Sequence, residues 1–206
     1  MIRTLTRVAL IAAALPIVVL AADTKFTSTF AAPEAKGVTF TGKKVVTVVM
    51  SSDESLRMSG EEGLVTELQA RGINAVASYR LIPKEELKDS EKARGWFERA
   101  KVDGVIVMRP VSIGKQTTYV PPTWTSGYYT SLYGYYGYGW GAMYDPGYVR
   151  DDMVVSIETL IYSVPKNMLL WGGASEQRNP KDSRKLLADL VKEAVKEMKK
   201  QGLSVK

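Results

Sequence analysis

The side chains able to do chemistry in this chain are carboxylates, because histidine and cysteine are both absent from its 206 residues. No thiolate nucleophile, His general base, Ser-His-Asp triad, Cys/His zinc site or disulfide can form. Asp53, Glu54 and Arg57 follow the first apolar run, where α/β sheets often place ligand sites. Ser51-Ser52-Asp53-Glu54-Ser55 puts acids where a phosphate loop needs glycines and free amides, so no nucleotide cradle is expected. Glu61-Glu62 could serve as paired carboxylates or bind a hard cation, but an early helical turn favours acids for its dipole alone. Asp151-Asp152 would point to opposite faces of a strand. Glu158 stands inside an apolar strand, where an ion pair with Arg109 or Arg57 across the sheet is the expected use. A carboxylate hydrolase would need at least two of Asp53, Glu61, Glu62 and Glu158 to converge. No cofactor site, metal site or catalytic motif is read.

The second chemical feature is aromatic. Of the 11 tyrosines, nine lie between Tyr119 and Tyr148. Between Lys115 and Asp145 there are 29 consecutive uncharged residues, with glycines at 127, 134, 137, 139 and 141. Tyrosine and tryptophan offer large amphipathic contact area at low entropy cost, and glycine lets the chain adapt. The candidate contacts for a partner or a glycan are Trp124, Tyr128, Tyr129, Tyr133, Tyr135, Tyr136, Tyr138, Trp140 and Tyr144. With few aliphatic residues of its own, the segment is expected to be a long loop that the fold can lose.

The surrounding elements read as one α/β domain over 43–203, carrying 115–148 as the Tyr/Gly-rich insertion. Lys43–Met50 (KKVVTVVM) suits a strand buried on both faces. Ser59-Gly60-Glu61-Glu62 has the capping-box pattern, Leu64, Val65 and Leu68 recur at helical spacing, and Gly72 marks the stop. Ile73–Ser78 is a second strand. Ala93, Trp96, Phe97 and Ala100 form an apolar stripe in an irregular or two-part helix after Pro83. Gly104–Val111 is a third strand. Asp152–Ser163 and Met168–Ala174 read as an antiparallel hairpin turning at Val164–Asn167. Asn179-Pro180 opens a last helix with an apolar stripe from Leu186 to Met198. The order is β-α-β-α-β, Tyr/Gly loop, β-β-α: a mixed sheet with helices mainly on one face. Residues 22–42 read as an extended leader with an edge strand near Val38–Phe40.

Residues 1–21 read as a secretory signal. Arg3 and Arg7 flank the apolar run Val8–Leu20, and Val19-Leu20-Ala21 offers small residues for cleavage after Ala21 or Ala22. Removing the two arginines lowers the net charge of +6 by two, to +4, too mild for a nucleic-acid partner. No later run is long and apolar enough for a transmembrane helix.

Several segments resemble bacterial envelope proteins of the lipoprotein-like kind: Ser51-Ser52-Asp53 with Arg57, Leu68–Gly72, Ala77-Ser78-Tyr79, Val102–Val107, Glu158–Tyr162 and Leu170–Glu176. The domain is similar to the amino-terminal domain of TolB and to the domain of the curli secretion lipoprotein, over roughly Lys43 to Leu203. The resemblance implies an α/β sandwich in the periplasm or envelope of a Gram-negative bacterium, without an agreed activity. Asp23 stands where those proteins carry the lipidated cysteine, so anchoring by that route is chemically impossible here. The expected function is that of an exported, non-enzymatic interaction module binding an envelope protein or itself through the Tyr/Gly segment. The alternatives are a glycan or peptidoglycan binder and a carboxylate-based hydrolase.

Overall fold

The computed structural model describes residues 24–114, 124–125, 127–142, 154–178, 180 and 182–203. Ala21, Ala22, Tyr144 and the Asp151-Asp152 pair lie outside them. Six strands form one mixed sheet: β1 (Thr24–Ala31), β2 (Lys44–Val49), β3 (Asn74–Ala77), β4 (Gly104–Gly114), β5 (Val154–Ser163) and β6 (Met168–Arg178), in the order β1-β6-β5-β4-β2-β3. β2 is parallel to both its neighbours, and every other pairing is antiparallel. The β5–β6 turn closes at Asn167, which takes the left-handed conformation (φ 46°) that Asn tolerates better than most residues.

The leader supplies more structure than its composition promised. Its strand is Thr24–Ala31, not the Val38–Phe40 stretch, and it pairs along β6 through Thr24 to Ala31. The four described α-helices are α1 (Glu54–Gln69), α2 (Ser90–Arg99), α3 (Leu132–Gly141) and α4 (Ser183–Lys200). α1 starts earlier than the capping-box reading placed it. Asp53 caps it by accepting the Leu56 amide at 3.0 Å, and nothing in 54–59 breaks a helix. The Ser59 hydroxyl instead bonds back to the Leu56 carbonyl. α4 likewise starts after Asp182, whose carboxylate accepts the Lys185 amide at 2.7 Å, rather than at Asn179-Pro180.

Strand alternation divides the core in two. Val45, Ile106, Ile161 and Trp171 face one way, joined by Leu170 at the β5–β6 register shift, and are covered by α1 and α4. Val46, Val48, Val105, Val107, Leu160 and Tyr162 face the other way and are covered by α2 and α3. The α/β class and the mixed sheet are as the sequence predicts. The helices are two to a face rather than mainly on one, because the Tyr/Gly segment contributes a helix of its own.

Candidate functional site

The described part of the Tyr/Gly segment, 124–125 and 127–142, packs on the sheet as a layer with a helix in it, where a loop is expected. Ser131 caps α3 by accepting the Gly134 amide at 3.1 Å. Leu132, Tyr135, Tyr136, Gly139 and Trp140 are its buried residues, at the i, i+3, i+4, i+7, i+8 spacing of one helical face. Gly139 is required by proximity, since a Cβ there would collide with the Met50 sulfur. Four glycines in ten residues make a poor helix by propensity, at about 1 kcal/mol each. The helix therefore depends on docking. Gly127–Thr130 forms a 3-10 turn ahead of it, and Trp124 lies over Gly172 of β6, where an added Cβ would sit 3.0 Å from the indole. The Trp124 Nε1 donates to the Ser28 hydroxyl at 3.2 Å.

This layer docks onto a buried ion pair. Arg109 and Glu158 are directly opposed on β4 and β5, and both point toward α3. Glu158 is fully buried and Arg109 is 6% exposed. Glu158 Oε2 accepts Arg109 Nη2 at 2.6 Å, Arg109 Nε at 3.1 Å and the Tyr135 hydroxyl at 2.7 Å. Glu158 Oε1 accepts the Tyr129 hydroxyl at 2.8 Å. Arg109 Nη1 donates to the carbonyl of Ala142, the C-terminal cap of α3, at 3.0 Å. The Tyr138 ring centroid is 5.2 Å from the guanidinium carbon. The Tyr162 hydroxyl donates to the Tyr129 carbonyl at 3.1 Å. Burial, then the Glu158 charge, pushes the Tyr135 phenol well above its ordinary value, and the same two causes raise Tyr162. Both stay protonated donors. With two guanidinium bonds and two phenol bonds converging on it, the Glu158 carboxylate ties β4 and β5 to α3 and to the turn before it.

The other acids do not join it. Glu61, also fully buried, lies on the opposite face under α1. β3 ends opposite Thr47, so the Val49 amide of β2 has lost its neighbouring strand. Glu61 Oε1 accepts that amide at 3.2 Å and the Ser78 hydroxyl at 2.8 Å, while Oε2 accepts the Tyr79 amide at 3.2 Å. Arg57 Nη1 lies 3.5 Å from Oε1. Burial nonetheless raises the Glu61 pKa, against the opposing pull of Ser78, the two amides and Arg57. Glu62 turns instead to the Tyr79 hydroxyl (2.5 Å) and Arg80 (2.8 Å). Asp53 is a helix cap, and Glu54 pairs with Lys84 at 2.6 Å. The partners described for Glu158 lie on β4, α3 and the turn before α3, whereas those described for Asp53, Glu61 and Glu62 lie on α1, β2 and residues 78–80. Among the described residues, no three acidic side chains gather as metal ligands.

The aromatic candidates thus separate by burial. Trp124, Tyr129, Tyr135, Tyr136 and Trp140 are buried and unavailable to a partner in this state. Tyr133 and Tyr138 are half-buried, and Arg94 covers the Tyr133 ring at 4.3 Å. Tyr128, at 39% exposure, is the one exposed large hydrophobic residue among those described. Its ring stacks on Tyr138 at 3.6 Å and leans on Tyr129 at 4.7 Å. The missed signal was the helical spacing 132, 135, 136, 140 behind a serine cap, which the glycines disguised as a loop.

No family model matches the sequence, and no curated protein matches it. Among solved structures, the chain is similar to a PelC dodecamer from Paraburkholderia phytofirmans, at 11% identity and a TM-score of 0.44, covering 80% of this chain and 89% of that one. A PelC variant dodecamer from the same organism matches at 14% identity and a TM-score of 0.41, covering 82% and 98%. The lipoprotein GNA1162 from Neisseria meningitidis matches at 15% identity and a TM-score of 0.41, covering 77% and 99%. At these scores no assembly, ligand or activity passes from those proteins to this chain.

Proposed function

We propose that this chain is an exported envelope protein that binds a protein partner, or a second copy of itself, through the exposed end of its Tyr/Gly layer. The observation that carries this is Tyr128: an exposed aromatic ring held in one orientation by Tyr138 and Tyr129. An aromatic pre-organised on a rigid base loses little entropy on binding, which is how hot-spot residues gain their effect. The contact set narrows to Tyr128, Tyr133 and Tyr138, and the buried aromatics serve as their foundation. The basic, apolar start of the chain supports export. The TolB-like and curli-secretion-like resemblance agrees with an envelope location.

A photo-crosslinking amino acid at Tyr128, in cells exporting the full chain, tests this. The expected result is a discrete crosslinked protein species, with no such species from the same label at Lys196 on the exposed face of α4. Equal labelling from both positions overturns the reading. Binding to purified peptidoglycan sacculi that is lost in Tyr128→Ala would replace it with the glycan reading.

A further inference from the structure

On the face of the sheet away from Tyr128, α1 and α4 do not close completely over the strands. They leave a cavity of about 60 Å³ walled by Leu64, Leu68, Ile106, Ile161, Val191 and Met198. Into this apolar wall the sheet places one hydroxyl, that of Thr159 on β5. Thr159 is 2% exposed, and its Oγ1 has no hydrogen-bond partner among the described residues. Buried hydroxyls in native proteins are nearly always bonded, so an orphan facing a cavity asks what it bonds to.

Water is a poor answer. The space exceeds what one water needs, but a stable buried water requires two to four polar partners, and beside the exposed Thr41 and the paired Arg71 the lining offers only Thr159. A charged ligand is also a poor answer. Arg71 lies at the mouth with Val38 and Phe40, but it is already paired with Glu67 at 2.8 Å. Met108 forms part of the cavity wall and part of the wall of a second apolar hollow, of about 130 Å³, lined by Val49, Leu56, Val155 and Leu187. A methionine is the side chain best able to swing aside and join two such spaces.

We propose that this cavity binds a small neutral amphiphile, an aliphatic chain bearing a single hydroxyl or carbonyl group. The chain lies between α1 and α4, and the polar group meets Thr159. This site is independent of the Tyr128 surface and stands or falls without it.

The probes are 1-hexanol and n-hexane, added separately to the full chain, with binding followed by NMR of the Leu64, Leu68 and Val191 methyl groups. Both are expected to give saturable shifts at these methyls and at those of Val155 and Leu187 beyond Met108, hexanol the more tightly. Thr159→Val keeps the shape and removes the hydroxyl. It should weaken hexanol roughly tenfold, the worth of one buried hydrogen bond, and leave hexane unchanged. Ala194→Phe should fill the cavity and remove both signals. If that variant does not fold, Thr159→Val alone decides. No saturable shift with either probe overturns the proposal, and so does a Thr159→Val chain that binds hexanol as the parent does.

Discussion

The two buried glutamates show two ways of keeping a carboxylate inside a small domain. Glu61 is held by the elements that flank its own helix: backbone amides 12 and 18 residues away, a serine 17 residues away and an arginine four residues earlier. Glu158 is held by what is far away. Its arginine comes from the neighbouring strand, and two of its donors are tyrosines 23 and 29 residues distant in sequence. The first arrangement finishes a strand end that lacks a partner. The second recruits a glycine-rich segment that could not fold alone and makes it the outer layer of the sheet. A buried charge needs several donors, and a segment that supplies them becomes part of the core even where its own propensity is poor.

If that contrast holds, the most damaging change is removal of the donor layer. Replacing 127–141 with a short linker exposes Val46, Val48, Val105, Val107 and Leu160 together with the ion pair. Cooperative thermal unfolding should disappear. A deletion that still melts in one sharp transition would show that the layer is an accessory, as its composition alone suggests. Next in size is Glu158→Ala, which strands Arg109 in the interior and should cost about 3–5 kcal/mol in urea unfolding. Replacing both partners, Arg109→Leu with Glu158→Leu, should recover most of that loss. Glu61→Ala should cost less, because Arg57 keeps Glu54 at 3.9 Å as a second partner. The order of the two single variants is the test. A larger loss at Glu61 breaks the comparison.

Single donors separate the two sites on a finer scale. Tyr135→Phe removes a charge-assisted bond to Glu158 and leaves the ring in place, for about 1.5–3 kcal/mol. Ser78→Ala removes one bond from Glu61, which keeps both amides, and should cost about 1 kcal/mol. Equal losses would mean that donors from the flanking elements and donors from the Tyr/Gly layer are interchangeable here.

This contrast also explains what could be read beforehand. β2, β4 and the β5–β6 hairpin follow from β-branched runs and alternation, and Glu158 inside an apolar strand implies an ion pair with Arg109 or Arg57, of which Arg109 is the partner found. Those signals are local, or lie one strand apart. The role of Glu61 was hidden because an acid early in a helix has a sufficient local explanation, and only the place where β3 ends reveals another. α3 was hidden because its stability lies in docking. Gly134, Gly137 and Gly139 lower its propensity, and the apolar face behind them is written in tyrosine rather than leucine. The strand Thr24–Ala31 was missed for a similar reason: its small polar residues read as a leader, and it forms by pairing along β6.

The smallest effect is a slope with pH. Burial raises the Glu61 pKa above its ordinary value of 4.5. The folded state therefore binds that proton more tightly than the unfolded chain does. The resulting stabilisation is fully present below the unfolded value and is lost as pH rises through the folded one. Glu61→Gln cannot titrate, and any hydrogen bond it changes adds a constant offset rather than a slope. The difference in unfolding free energy, parent minus Glu61→Gln, should therefore increase as pH falls from 7 toward 4.5. It is bounded at about 1.4 kcal/mol for each unit that the pKa is raised. Urea midpoints for the two chains at matched pH values measure it, and the other carboxylates largely cancel in the subtraction. A difference that instead decreases on acidification would mean that Arg57 and the two amides outweigh burial. Glu61 would then be an anion stabilised by its donors rather than a carboxylate kept in spite of its burial.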